Sequence, residues 1–222
     1  MAALIRIFRR AAGPLLVALA LAVAGCANPF APATPEPPDP SGITEDFSTP
    51  AKLLNTLVAA MENKGEAGRL AWIGAMADSS GPGTRAFYAF QDPRVLSAWQ
   101  ISSPVTPPDP WTIENERLFY DKFIQFDGEY TMQFDEDDTS PIDVIDESAG
   151  TALLHRQYFV ATTAGSTTRI IAIGYVDLYL VKYQGRWFVV RWDDRLDPLI
   201  GVDPADPDNL TLGWRRLESA TG

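Results

Sequence analysis

The chain has 222 residues, of which 46% are hydrophobic and 21% charged, a composition for one globular domain of ordinary size and not for a disordered chain. Acidic residues outnumber basic ones 29 to 18, for a formal charge of -11, which argues against the broad basic face that nucleic-acid binding needs. One Cys and one His exclude an intrachain disulfide, a Cys-based zinc site and a two-His metal site.

In chain order, Arg6, Arg9 and Arg10 make a positive leader, followed by an uncharged run, Ala11 to Gly25, too short to span a bilayer as a stable helix. It ends in Val23-Ala24-Gly25-Cys26, which resembles the lipobox of bacterial lipoproteins. The resemblance implies a signal peptide over residues 1–25, cut before Cys26, and acylation (palmitate among the acyl groups) of Cys26 as the lipid anchor. A plain secretory signal with an incidental Cys is the other reading, and Arg9-Arg10 raises twin-arginine export, although its flanks fit that motif poorly. Cleavage would remove three Arg and no acidic residue, taking the formal charge from -11 to -14. Anionic headgroups would repel such a chain, so its membrane contact is expected through the lipid. Ala27 follows the Cys, where Asp would imply inner-membrane retention. The resemblance therefore implies an exported, envelope-anchored protein, on the outer membrane facing the periplasm if the host is Gram-negative.

Residues 26–46 hold the anchor and a tether. Asn28 to Gly42 carries six prolines, which favours extended, solvated polyproline-like chain. A spacer is the plainer reading, a proline-rich ligand for a partner the other. The folded part, residues 47–222, opens with Thr49 as a cap and Pro50 at the first helical position. Leu53, Leu54, Leu57, Val58 and Met61 then share a helical face up to Gly65. A second helix is expected over Glu66 to Asp78, with Leu70, Ile73, Met76 and Ala77 together, before the turn cluster Ser79 to Gly83. Arg85 to Gln91 reads as an aromatic strand. Arg94 to Ser102 fits a strand or a short helix. Asp109-Pro110 repeats the cap-then-proline signal and opens a third helix with Trp111, Leu118, Phe119 and Phe123.

The last third reads as β. Tyr130 to Phe134, Ala152 to Thr162 and Arg169 to Tyr183 are strands, and Gln184-Gly185 turns the chain into Arg186 to Asp194. Helices first and an antiparallel sheet afterwards define an α+β domain. In the strand Arg169 to Tyr183, period two puts Ile170, Ala172, Gly174, Val176, Leu178 and Leu180 on the core face and Ile171, Ile173, Tyr175, Asp177, Tyr179 and Val181 outside. Trp187 and Trp192 are five apart, so a regular strand would send them to opposite faces. Both are expected in the core, hence a bulge or bend near Val190.

Gly185-Arg186-Trp187-Phe188-Val189-Val190-Arg191-Trp192-Asp193-Asp194 is similar to the final strand of the NTF2-like (cystatin-like α+β) superfamily. Ser48 to Gly65 resembles its first helix, and Trp111 to Phe126 a middle helix of small NTF2-like lipoproteins. The resemblance spans roughly residues 47 to 195 and implies a curved sheet wrapped on helices around a conical pocket. That superfamily holds isomerases, dehydratases, transport factors and binders without chemistry, so fold does not settle function.

Asp177 between two tyrosines could serve as an acid/base group with phenol partners, as in ketosteroid-isomerase-like enzymes, but its parity puts it on the outer face. There Tyr175, Asp177 and Tyr179 would form a recognition surface, or pair two copies of the domain. Tyr88, Trp99 and His155 complete the candidate pocket or recognition residues. His155 is either a satisfied strand residue or a pocket acid/base. No Ser or Cys sits in a nucleophile elbow. Asp127 to Glu147 holds nine acidic residues and no basic one. It reads as a solvated hairpin loop in preference to a Ca²⁺ site, because the spacing of a known calcium loop is absent. A second acidic loop, Asp193 to Asp208, carries three prolines. The six Trp read mainly as core, and Trp214-Arg215-Arg216 as a docking tail or a fold-back.

The expectation is an envelope lipoprotein whose NTF2-like domain binds a small apolar ligand or an envelope protein without catalysis, with no cofactor, metal or nucleic acid. The alternatives are an isomerase- or dehydratase-like enzyme using a pocket carboxylate, and an assembly subunit pairing through the sheet face as a homodimer.

Overall fold

The structure is a computed structural model and describes residues 43–78, 86–136, 141–196 and 210–221. Cys26 with its leader, the tether to Gly42, the Ser79 to Gly83 turn, Asp137-Asp138 and most of the second acidic loop lie outside the described residues.

Helix α1 (Pro50–Glu62) starts as its sequence directs: the Thr49 side chain accepts from the Lys52 amide, and Pro50 needs no amide partner. Its apolar stripe buries Leu53, Leu54, Leu57 and Met61. Helix α2 (Glu66–Gly74) is shorter than expected. After Gly74 the chain leaves the helix and Met76 bridges Val189 of the sheet, which buries Met76 and Ala77 but turns Leu70 outward, 55% exposed. Trp72 and Ala71 hold the inward face instead.

Strand β1 (Tyr88–Phe90) leads into helix α3 (Pro93–Ser102). The ambiguity of Arg94 to Ser102 resolves to helix because Asp92 caps the Arg94 amide and Pro93 takes the first position. The cap-then-proline signal that counts is thus Asp92-Pro93. Helix α4 (Ile113–Phe123) begins after Thr112 and not at Asp109-Pro110: the Thr112 amide donates to Asn115 Oδ1 at 3.0 Å.

Strands β2 (Glu129–Asp135), β3 (Val144–Asp146), β4 (Thr151–Ala164), β5 (Thr167–Tyr183) and β6 (Arg186–Arg195) follow. The sheet order is β1-β6-β5-β4-β2, with β3 also on β4. Only the β1–β6 pairing is parallel among the named strands. Gln184 and Gly185, at φ 50 and 81, make the tight β5–β6 turn.

Two irregularities set the faces. Tyr179 pairs with Arg191 but Leu180 with Val189, so Val190 is an extra residue in β6. This bulge lets Trp187 and Trp192 both be fully buried, as their odd spacing requires. A second shift pairs Val160 with Ala172 but Ala161 with Ile170, leaving Ile171 extra in β5. Parity inverts there. Ile171 is buried and Ile170 is 42% exposed, a correction to the core face expected of Ile170. From Ala172 to Leu180 the expected face is the buried one.

Helix α5 (Leu212–Ser219) closes the domain. Thr211 caps it through the Trp214 amide, and seven of its residues, Leu212 to Leu217 and Ser219, are buried. Trp214-Arg215-Arg216 is therefore a fold-back against α3, α4 and the sheet.

Candidate functional site

Three places concentrate polar chemistry. The first is the interior between the helices and the sheet. Glu116 of α4 and Arg216 of α5 have no solvent exposure, and the guanidinium holds the carboxylate through two hydrogen bonds of 2.8 and 2.9 Å. Trp72 and Trp111 donate their indole N–H groups to the same carboxylate, at 3.1 and 2.8 Å. Arg216 also lies over Trp192, 4.6 Å from the ring centre. Beside this pair, Tyr158 of β4 donates to Asp194 of β6 at 2.5 Å. Asp194 also accepts from the Gly213 amide at the start of α5. Burial pushes the Asp194 carboxyl up to about 6, against the pull of Arg216, Tyr158 and the Gly213 amide. Burial and the Asp194 charge raise the Tyr158 phenol well above its ordinary value.

An inward carboxyl beside a phenol is the arrangement an acid/base enzyme would use. Here α5 covers it. A Cβ on Gly213 would fall 2.4 Å from Asp194 Oδ2 and 2.5 Å from Gln91 Oε1, so no room is left over the carboxylate. Sequence reasoning did not bring Glu116, Arg216, Tyr158 and Asp194 together as an interior group. Asp194 was legible only as part of a packing motif, and nothing local marks Glu116 or Arg216 as partners.

The second place is the outer sheet face, which assembles most of the residues singled out from sequence. Arg191 is gripped by Asp193 through two hydrogen bonds of 2.6 Å. Its guanidinium stands 4.7 Å from the Tyr179 ring, 4.8 Å from Phe90 and 5.9 Å from Tyr88. One row along, His155 and Asp177 face each other across β4 and β5, with Nδ1 2.6 Å from Oδ1, and Arg195 reaches the same oxygen at 2.5 Å. Tyr175 is half-buried between Gln157 and Arg195 in the register. Trp99 is elsewhere: it is buried edge-on against Trp214, 5.3 Å between ring centres, and donates to the Val105 carbonyl. The outer cluster is self-satisfied, each charge already opposed by another.

The acidic segment draws its partners from outside itself. Arg156 binds Asp143 through contacts of 2.8 and 2.6 Å and reaches Glu136, while Lys182 meets Glu147 at 2.7 Å. Burial would raise the Asp143 carboxyl, but Arg156 and the His155 amide outweigh it and hold the group below its ordinary value. Among the described residues, no group of three or more His, Cys, Asp or Glu is placed to hold a metal ion.

The third place is an open cleft of about 770 Å³ between α2, α4 and the β5–β6 turn. Its wall includes Arg69, Arg117 and Arg186 with Leu70, Ile73 and Phe188. Sequence reasoning missed it, because its residues come from three distant segments.

No protein-family model and no curated protein matches the chain. Solved structures do. One is a single-residue variant of Rv3472, a protein of unknown function from Mycobacterium tuberculosis, 15% identical over 77% of this chain and 85% of that one, with a TM-score of 0.50. Another is an NTF2-like protein of unknown function from Pseudomonas putida KT2440, 10% identical over 72% and 90%, TM-score 0.45. A third, from Streptomyces avermitilis, is described as a candidate dehydratase of the NTF2-like family, 8% identical over 68% and 97%, TM-score 0.46. The fold is α+β, helices on a curved, open, six-stranded sheet, consistent with the NTF2-like cone that the sequence resemblance implied.

Proposed function

We propose that the protein is a lipid-anchored envelope lipoprotein whose NTF2-like domain binds a ligand or partner and performs no catalysis. The observation that carries the non-catalytic reading is the sealed interior, where α5 seats Arg216 on Glu116 with no solvent exposure on either side. A substrate cannot reach Asp194 or Tyr158 while that helix is in place. The anchor reading rests on Cys26 at the end of a signal-like segment. The binding reading is supported by the open cleft, whose volume lies in the range of small-molecule sites.

A second reading has one observation in its favour. Asp194, raised to about 6 beside Tyr158, is tuned as an isomerase- or dehydratase-like enzyme would tune a pocket carboxylate. That reading requires α5 to leave. The test is to express the full chain in a lipoprotein-processing host with labelled palmitate, and to analyse the purified protein by native mass spectrometry. The proposal expects label lost in Cys26→Ser, and a retained small molecule unchanged in Asp194→Asn. Unlabelled protein would remove the anchor. Turnover of a retained compound, abolished by Asp194→Asn, would replace binding with catalysis.

A further inference from the structure

We propose that the cleft between α2, α4 and the β5–β6 turn takes a free, single-chain amphipathic anion: a carboxylate or phosphate monoester on an apolar body. The proposal rests on the binding-module reading and names the ligand class of that module.

The charge of the cleft runs against that of the chain. In a protein of net charge -11, its wall brings three guanidinium groups together with one carboxylate, Asp78. Arg69 is committed, held by Glu66 at 2.9 and 2.6 Å. The other two differ. Arg186 lies over the rings of Phe47 and Phe188, 4.6 and 5.6 Å from their centres, and makes no salt bridge to a described residue. Arg117 is half-buried and likewise has no salt bridge to a described residue; Glu114 feels its charge. Stacking leaves the edge of a guanidinium open, and that edge carries the paired donors that match a carboxylate or phosphate.

The rest of the wall is apolar. Leu70, 55% exposed, joins Ile73 and Phe188 on the same concave surface. A lone exposed Leu means little, but apolar side chains lining a cleft beside two cations with no salt bridge to a described residue favour a molecule with both characters. Inorganic phosphate would leave Leu70 and Ile73 wet. A neutral lipid would leave Arg117 and Arg186 without anions. Anionic phospholipid in a bilayer shares the headgroup chemistry, and the vesicle arm of the experiment separates the two sources. A single-chain anion on an apolar body both pairs with the guanidinium groups and covers Leu70 and Ile73.

The experiment is calorimetric titration of the full chain carrying Cys26→Ser with decanoate, decyl phosphate, 1-decanol and acetate, each below its aggregation limit. The expected result is a saturable 1:1 isotherm for at least one decyl anion. Decanol should bind at least tenfold more weakly, and acetate should give no signal. Arg117→Gln with Arg186→Gln should weaken the anion at least tenfold at an unchanged melting temperature. If the double variant melts early, Arg117→Gln alone serves the same comparison. Flat isotherms for both anions, decanol binding as tightly as decanoate, or affinity unchanged in the Arg variants would each overturn the proposal. So would flat isotherms together with sedimentation on phosphatidylglycerol vesicles, which would assign the cleft to a membrane surface. Because Cys26 is replaced throughout, failure here leaves the anchor reading intact, and an unlabelled Cys26 leaves the isotherm intact.

Discussion

Arg216 and Glu116, one hundred residues apart in the chain, meet in the interior with neither exposed to solvent. The pair joins α5 to α4, and two indole N–H groups complete the shell of the carboxylate. Removing one ion from such a pair strands the other in a place water does not reach. Arg216→Ala is therefore expected to cost about 3–5 kcal/mol, while Glu116→Gln with Arg216→Met should cost distinctly less. Urea unfolding of the three proteins checks this. Equal losses for the single and double variants would mean that packing, not charge, holds the helix.

Asp194 gives a pH dependence with a definite sign. Its carboxyl is raised from 3.8 to about 6 in the fold, so the native state holds a proton that the unfolded state has released. Its contribution to stability is full below about pH 4 and is lost as pH rises through about 6. Between pH 4.5 and 7 the loss from this group alone is about 2 kcal/mol. Asp143 and Asp92 are lowered and act in the opposite direction. The informative quantity is thus the difference between the wild type and Asp194→Asn. Relative to wild type, the variant should gain about 2 kcal/mol on going from pH 4.5 to 7. A difference that does not change with pH would show that Asp194 titrates normally.

Trp187 and Trp192 are both buried because Val190 is extra in β6. Truncating either to Ala is expected to cost about 3–5 kcal/mol. Deleting Val190 should be at least as damaging, since it returns one indole to the solvent face. Thermal melts of the three variants measure this, and a near-wild-type melt for the deletion would show that the bulge is dispensable.

That bulge was legible because two bulky residues at an odd spacing demand one. The bulge at Ile171 was not, because Ile170 and Ile171 are equally apolar and either fits the core. The helix α1 boundary was readable from Thr49-Pro50, where cap and proline act locally. The same local chemistry at Asp92-Pro93 was the marker for α3, while Asp109-Pro110, which looks alike, lies before the Thr112 cap. On the outer face, strand parity placed Tyr179, Asp177 and Tyr175 correctly, because alternation survives between the two bulges. The interior pair was hidden for a physical reason. Glu116 sits in the charged run Glu114-Asn115-Glu116-Arg117 of an amphipathic helix, and its partner arrives from a helix that sequence showed only as a tail. The cleft was hidden likewise, since concavity arises from packing and not from any one segment.

Cys26→Ser should abolish acylation and either release the protein to the soluble fraction or strand it with its signal segment uncut. The chain is acidic, with a formal charge of -11, and offers no electrostatic hold on anionic lipid. Fractionation with mass measurement of the N-terminal peptide checks this. An unchanged peptide mass and unchanged membrane fraction would remove the anchor.

The central claim is that α5 keeps the interior closed. Native-state hydrogen exchange reads this directly, because a segment that opens on its own exchanges at less than the global free energy. The amides of Trp214 to Leu217 are expected to be protected to nearly the same free energy as those of β5 and β6. Gly213→Ala, which puts a methyl against Asp194 and Gln91, should lower that protection selectively. If α5 in the wild-type protein instead exchanges orders of magnitude faster than the sheet, the cone opens to Asp194 and Tyr158, and the sealed, non-catalytic reading is contradicted.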